Sequence, residues 1–107
     1  MPSASGILRR IGVDGGSKFM ATFTIRDSHY TLAGLFVSGL PDFRCRHAKL
    51  KYHSVSQLTS TRLAEGRIGP DGIILRLING PIIEGLLESP FDPPANELIG
   101  CGIWFQH

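Results

Sequence analysis

With 107 residues, 42% of them hydrophobic and 19% charged, the chain has the size of one domain spanning 1–107 and is too apolar for disorder. Its longest apolar runs, such as Ile73-Ile74-Leu75, are far shorter than a spanning helix, so no membrane partner is expected. The net charge of +2 is uneven: eight Lys/Arg stand against three Asp/Glu through His53, and three against six from Ser54 onward.

Gly and Pro punctuate the chain at short intervals, and β-branched and aromatic residues fill the spaces between them. That spacing predicts short strands joined by turns. The first strand falls near 6–13 and ends in an Asp14-Gly15-Gly16 turn. The second, over 18–26, alternates strictly: Phe19, Ala21, Phe23 and Ile25 take one face, and Met20, Thr22, Thr24 and Arg26 take the other. Asp27-Ser28-His29 turns the chain into a third strand over 30–38, apolar on both faces and so either central or part of an interface.

Gly39-Leu40-Pro41-Asp42 breaks the chain before a fourth strand over 43–53. Ala48, Leu50 and Tyr52 share one parity, and His47, Lys49, Lys51 and His53 the other. Arg44 and Arg46 share the parity of the apolar set, which calls for a bulge or an overhang past the core. Residues 54–66 read two ways. One is a strand over 58–65, which Thr59-Ser60-Thr61 and the Leu58/Leu63 spacing favour; the other is a helical turn begun by Ser56 and stopped by Gly66.

Pro70-Asp71-Gly72 is a turn signal. Asn79-Gly80 between 73–78 and 81–87 predicts a two-residue type I′ hairpin, with Pro81 removing one ladder donor. Under that register Arg76 pairs with Ile83 and Glu84 with Leu75; a slip of one residue would put Arg76 and Glu84 on the same face. Prolines 90, 93 and 94 make 89–96 a loop, and a last strand covers 97–106. Seven or eight antiparallel strands with neighbouring turns imply an all-β barrel or sandwich, ordered much like a meander. Gly34, Gly85, Gly100 and Gly102 inside strands favour a small, strongly bent barrel. In this general look the chain is similar to small calycin-type barrels, which implies the barrel over the sandwich.

Few residues suggest chemistry. No GxSxG elbow is present, and Gly12–Gly16 lacks the Lys-Ser/Thr of a phosphate loop, so no catalytic residue is assigned. Cys45 lies between Arg44 and Arg46, but neighbours in a strand point to opposite faces. Cys45 and Cys101 form no CxxC pair and the four histidines complete no zinc pattern, so no metal or cofactor is expected. Both thiols read as small apolar fillers in a reducing compartment. The first six residues carry no apolar signal core, which points to a cytoplasmic protein.

Two groups of side chains stand out. Arg44, Arg46, Lys49 and Lys51, with Phe43 and Tyr52 interleaved, resemble a single-stranded nucleic-acid surface, where cations track phosphates and rings stack on bases. The plain alternative is a solvated face with edge-guarding lysines. Arg76 and Glu84, if they face inward, would form a polar anchor for a ligand, with Trp104 from the last strand as an apolar wall; the plain reading of each is a surface pair and a core ring. The expected function is therefore a non-enzymatic binding or protein-interaction module. Its partners would be a second copy of the chain, another protein or a small apolar ligand, because the apolar surplus on 30–38 and 73–87 exceeds what one core needs. Nucleic-acid binding through 43–53 is the second expectation. An enzyme with a site assembled from scattered residues is the third.

Overall fold

The computed structural model describes residues 2–12, 16–90 and 96–107. Its strands are β1 (Ser3–Arg10), β2 (Lys18–Ile25), β3 (Ser28–Phe36), β4 (Arg44–Lys51), β5 (Thr61–Ile68), β6 (Gly72–Leu77), β7 (Ile82–Leu86) and β8 (Asn96–Gln106). They close into a barrel in the order β1-β2-β3-β8-β5-β6-β7-β4, every neighbouring pair antiparallel. Closure leaves no sandwich. The turn predicted at Asp14-Gly15-Gly16, and most of the loop predicted over 89–96, lie outside the described residues.

The strand order corrects the expected meander. An up-and-down barrel joins each strand to the next. Here β1-β2-β3 and β5-β6-β7 do so, but β4 lies between β1 and β7, and β8 lies between β3 and β5. The calycin-like order is thus not the one observed. The chain after β3 is broken by Gly39 and Pro41, which lets it leave its neighbour. Leu40 and Phe43 are buried along this crossing.

Period-2 alternation carries the core. In β2, Phe19, Ala21 and Phe23 are fully buried. Leu8, Leu32, Leu50, Leu75 and Ile83 join them, and Phe19 stacks on Phe36 at 4.4 Å. The interior is filled by side chains. Where β3 meets β8, Gly34 pairs with Gly102. A Cβ on Gly34 would fall on the Cys101 carbonyl oxygen and 2.7 Å from Phe19 Cζ, so this seam closes only without side chains.

β4 contains a bulge. The β1–β4 register shifts between Gly6 and Leu8, so Arg46 and His47 together oppose Ile7. Cys45 and Ala48 are buried on either side, and Arg46 and His47 both project outward. The shared parity of Arg44, Arg46 and Ala48 is explained by this extra residue.

Residues 54–66 hold both predicted forms. A 3-10 turn (Val55–Gln57) is capped by Ser54, not Ser56, in a capping box with Gln57. β5 follows and runs straight through Gly66. The turn after β2 is Arg26-Asp27, one residue earlier than expected, with Arg26 at φ 56°.

The β6–β7 hairpin is also corrected. Arg76 pairs with Ile82 and Ile74 with Glu84, one residue from the predicted register. The loop has three residues, Ile78-Asn79-Gly80. Leu77 N–H donates to the Pro81 carbonyl at 2.9 Å and Gly80 N–H to the Leu77 carbonyl at 3.0 Å. Only Gly80 has positive φ, +120°, so the turn is not type I′. The amides of Asn79 and Gln57 donate to each other's backbone carbonyls, fixing the loop to the 3-10 turn. Gly80→Val is expected to lower stability by at least about 1 kcal/mol, because a β-branched residue resists this φ. Urea unfolding measures it; an unchanged midpoint would contradict the turn assignment.

Candidate functional site

Each strand of a filled barrel has one face left for function, the outer one. The residues expected to form a ligand anchor do not converge there or inside. Trp104 is 4% exposed and belongs to the core. Arg76 is exposed on the outside of β6. Glu84 also faces out, and its carboxylate pairs with Lys51 Nζ at 2.7 Å. The one-residue slip does put Arg76 and Glu84 on one face, but it is the solvent face. The filled interior lends no support to a small apolar ligand held inside the barrel.

On β4, alternation and the bulge turn Arg44, Arg46, His47 and Lys49 to the outside. The rings expected among them face the other way: Phe43 and Tyr52 are both buried. The cations are therefore present without a stacking platform. Two of them are partly neutralised, Lys51 by Glu84 and Arg46 by Glu88, with Arg46 Nε at 3.1 Å from the carboxylate. Such exposed pairs contribute at most about 1 kcal/mol each. An open groove of about 750 Å³ crosses β5, β6, β7 and β4, with Lys49 and Arg67 facing Asp71 and Glu84. Mixed charge and wide opening give it no selectivity for one sign.

The opposite side of the barrel is different. β8 lies between β3 and β5, and its odd-numbered residues point outward. One row runs across the strands through Leu35, Cys101, Leu63 and the turn residue Ile78. Ile99 and Val37 lie on one side of that row, and Ile103 and Phe105 on the other. Leu63 is 60% exposed, and Val37 and Ile78 about three-quarters exposed. A hollow of about 560 Å³ next to this row is lined by Leu63, Ile78, Ile82 and Ile99 together with Glu65 and Arg76.

This face carries no charged side chain along the row through Leu35, Cys101, Leu63 and Ile78; its next row places Glu65 and Arg76 between Ile99 and Ile82. Its border on one side holds Glu65 opposite Arg76 and Arg67 opposite Glu97, two acids and two bases. Its other border is polar: Thr31 Oγ1 lies 3.0 Å from Thr22 Oγ1 and 2.9 Å from His107 Nε2. Seven large apolar side chains here, Leu35, Val37, Leu63, Ile78, Ile99, Ile103 and Phe105, are each between 46% and 75% exposed, a clustering that ordinary monomers rarely show.

Sequence reading found the β3 share of this face but not the β8 share. Ile99, Cys101, Ile103 and Phe105 were legible as one parity of 97–106, alternating with Leu98, Gly100, Gly102 and Trp104. A strand apolar at both parities has two buried faces or one that awaits a partner.

The two thiols have opposite settings. Cys45 is fully buried, and burial pushes its thiol up to about 11. Cys101 is free, partly exposed, and sits at the centre of the apolar face. A maleimide at neutral pH is expected to label Cys101 alone in the folded chain; two labels per chain would contradict the burial of Cys45. Because the folded-state value is raised, the unfolded chain ionises first as pH climbs. Stability should fall between about pH 9 and 11, by up to roughly 1.4 kcal/mol per unit.

Fold and surface define a closed, eight-stranded antiparallel β-barrel with a largely apolar outer face on β3, β8 and β5. No protein-family model, curated protein or solved structure matches the chain. Among the described residues no group of three His, Cys, Asp or Glu is placed to hold a metal, and no helix is long and apolar enough to cross a membrane.

Proposed function

We propose that the chain is a non-enzymatic interaction module whose partner is a second copy of itself, docked through the outer face of β3, β8 and β5. The observation that carries the reading is the contiguous set of exposed apolar side chains on that face: Leu35, Leu63, Ile78, Ile99, Ile103 and Phe105 around Cys101. Its border has equal numbers of acids and bases, so a second copy meets no surplus of like charge.

The β1/β4 side carries Arg9, Arg44, Arg46 and Lys49, and would repel its own copy. A copy docked by its apolar face keeps that basic side outermost. Closed symmetric pairs are the commonest oligomers, and in them the same patch serves both subunits. With Cys101 at the middle of the patch, the two-fold axis passes beside it and each Cys101 faces its equivalent. Two unpaired thiols fit a reducing, cytoplasmic setting.

Sedimentation velocity tests the reading. At micromolar concentration the mass should be twice that of the chain and should fall on dilution. A monomer across the whole range would overturn it.

A further inference from the structure

β1 and β4 lie side by side, and their register sets Arg9 directly opposite Arg44. Both point outward, since Leu8 and Cys45 beside them are buried. Like charges directly opposite in a sheet destabilise it. No hydrogen bond or ion pair reaches either guanidinium among the described residues. The bulge adds a third cation on the same side, because it turns Arg46 outward with His47. Arg9, Arg44 and Arg46 line one hollow of about 290 Å³ around Ile7. Beyond the bulge a second hollow, about 400 Å³, is lined by Ser5, Arg46, His47 and Lys49. Among the described residues, the one carboxylate in contact is Glu88, on Arg46.

We infer that the hollow around Ile7 is a binding site for a compact, polyvalent phosphate, free or as the phosphate group of a small ester. Three guanidinium forks converging on one hollow suit a tetrahedral oxyanion that carries several charges, since each fork can donate two parallel N–H bonds. A monovalent carboxylate would leave the Arg9–Arg44 repulsion largely in place. Ile7, 43% exposed, gives the organic part of an ester an apolar surface beside the charges. A nucleic-acid strand is less well served, because Phe43 and Tyr52 turn inward and leave its bases nothing to stack on.

The probes are tripolyphosphate, inorganic phosphate and a short thymidine oligonucleotide, read by thermal melting and titration calorimetry on the full chain at matched ionic strength. Tripolyphosphate should raise the melting temperature of the wild type saturably, and inorganic phosphate should do so more weakly. Arg9→Gln and Arg44→Gln should each melt above the wild type without anion, because the like-charge pair is relieved. Each should bind tripolyphosphate roughly ten-fold more weakly or worse. Lys51→Gln, outside the hollow, should behave as wild type. Sodium chloride at the same ionic strength giving the same rise, or unchanged binding by the arginine variants, would overturn the site. An oligonucleotide bound more tightly than tripolyphosphate, with steep salt dependence, would overturn its assignment to a compact phosphate.

Discussion

Gly34→Val is expected to leave little folded protein. Gly34 faces into the barrel at the β3–β8 seam, directly opposite Gly102. A Cβ at this position would meet the Cys101 carbonyl oxygen and come within 2.8 Å of Gly102 Cα. Both are backbone atoms and cannot rotate away, so relief requires the two strands to separate. Phe19, 2.7 Å from the same Cβ, is itself locked by stacking on Phe36. Overpacking in a close-packed core typically costs ~1–3 kcal/mol, and the two further methyls of valine put this case at the upper end or beyond. That is a large part of the ~5–15 kcal/mol by which a domain is stable. Urea unfolding followed by circular dichroism measures it, with Gly34→Ala as the milder variant. Valine within about 0.5 kcal/mol of wild type, the usual range for surface changes, would mean that β3 and β8 are not so closely apposed.

The second large effect is expected at the apolar face. Leu63→Lys with Ile103→Lys should abolish self-association without harming the barrel. Both side chains point away from the core and are half-exposed, so the monomer loses only surface packing. In the pair, two ammonium groups per subunit would have to leave water at the centre of the contact, where truncation and charge effects are largest. The dissociation constant should rise at least ~100-fold, about 2.7 kcal/mol. Sedimentation should show monomer where the wild type is paired, and the two proteins should unfold alike when dilute. A pair that survives both lysines would place the interface elsewhere and remove the proposed role of this face.

Local structure was legible in the sequence because it follows from local steric rules. Phe19, Ala21 and Phe23 set the inward face of β2 by alternation alone. The bulge was readable as a conflict: Arg44 and Arg46 share the parity of Ala48 and Leu50, and only an extra residue lets all of them take their preferred side. The Asn79-Gly80 hairpin was found, but its register slipped by one because Ile78 belongs to the loop and only Gly80 takes positive φ. Nothing in Asn-Gly itself distinguishes two loop residues from three, yet that choice decided where Arg76 and Glu84 pair.

Non-local features were less legible. The expected order was a meander, and no local pattern says that β4 crosses to β1 or that β8 enters between β3 and β5. The Arg9–Arg44 pair depends on that crossing, so Arg9 carried no signal of its own. The apolar face depends on it too. Leu35 and Leu63 become one surface only when β8 lies between them with Cys101 outward. Trp104 and the neighbouring glycines made the last strand look like a core element, which it is on one side only.

The most direct test of the association face is cross-linking through Cys101. A short bis-maleimide, added to the wild type at neutral pH and micromolar concentration, meets one accessible thiol per chain because Cys45 is buried. If a second copy packs across the face with its two-fold axis at the centre, two Cys101 side chains face each other across sheets about 10 Å apart. A covalent dimer linked at Cys101 should then form rapidly, and Leu63→Lys with Ile103→Lys should slow it to the level of chance encounter. Full labelling of Cys101 by a single-headed maleimide, with no covalent dimer from the double-headed one, would contradict the account.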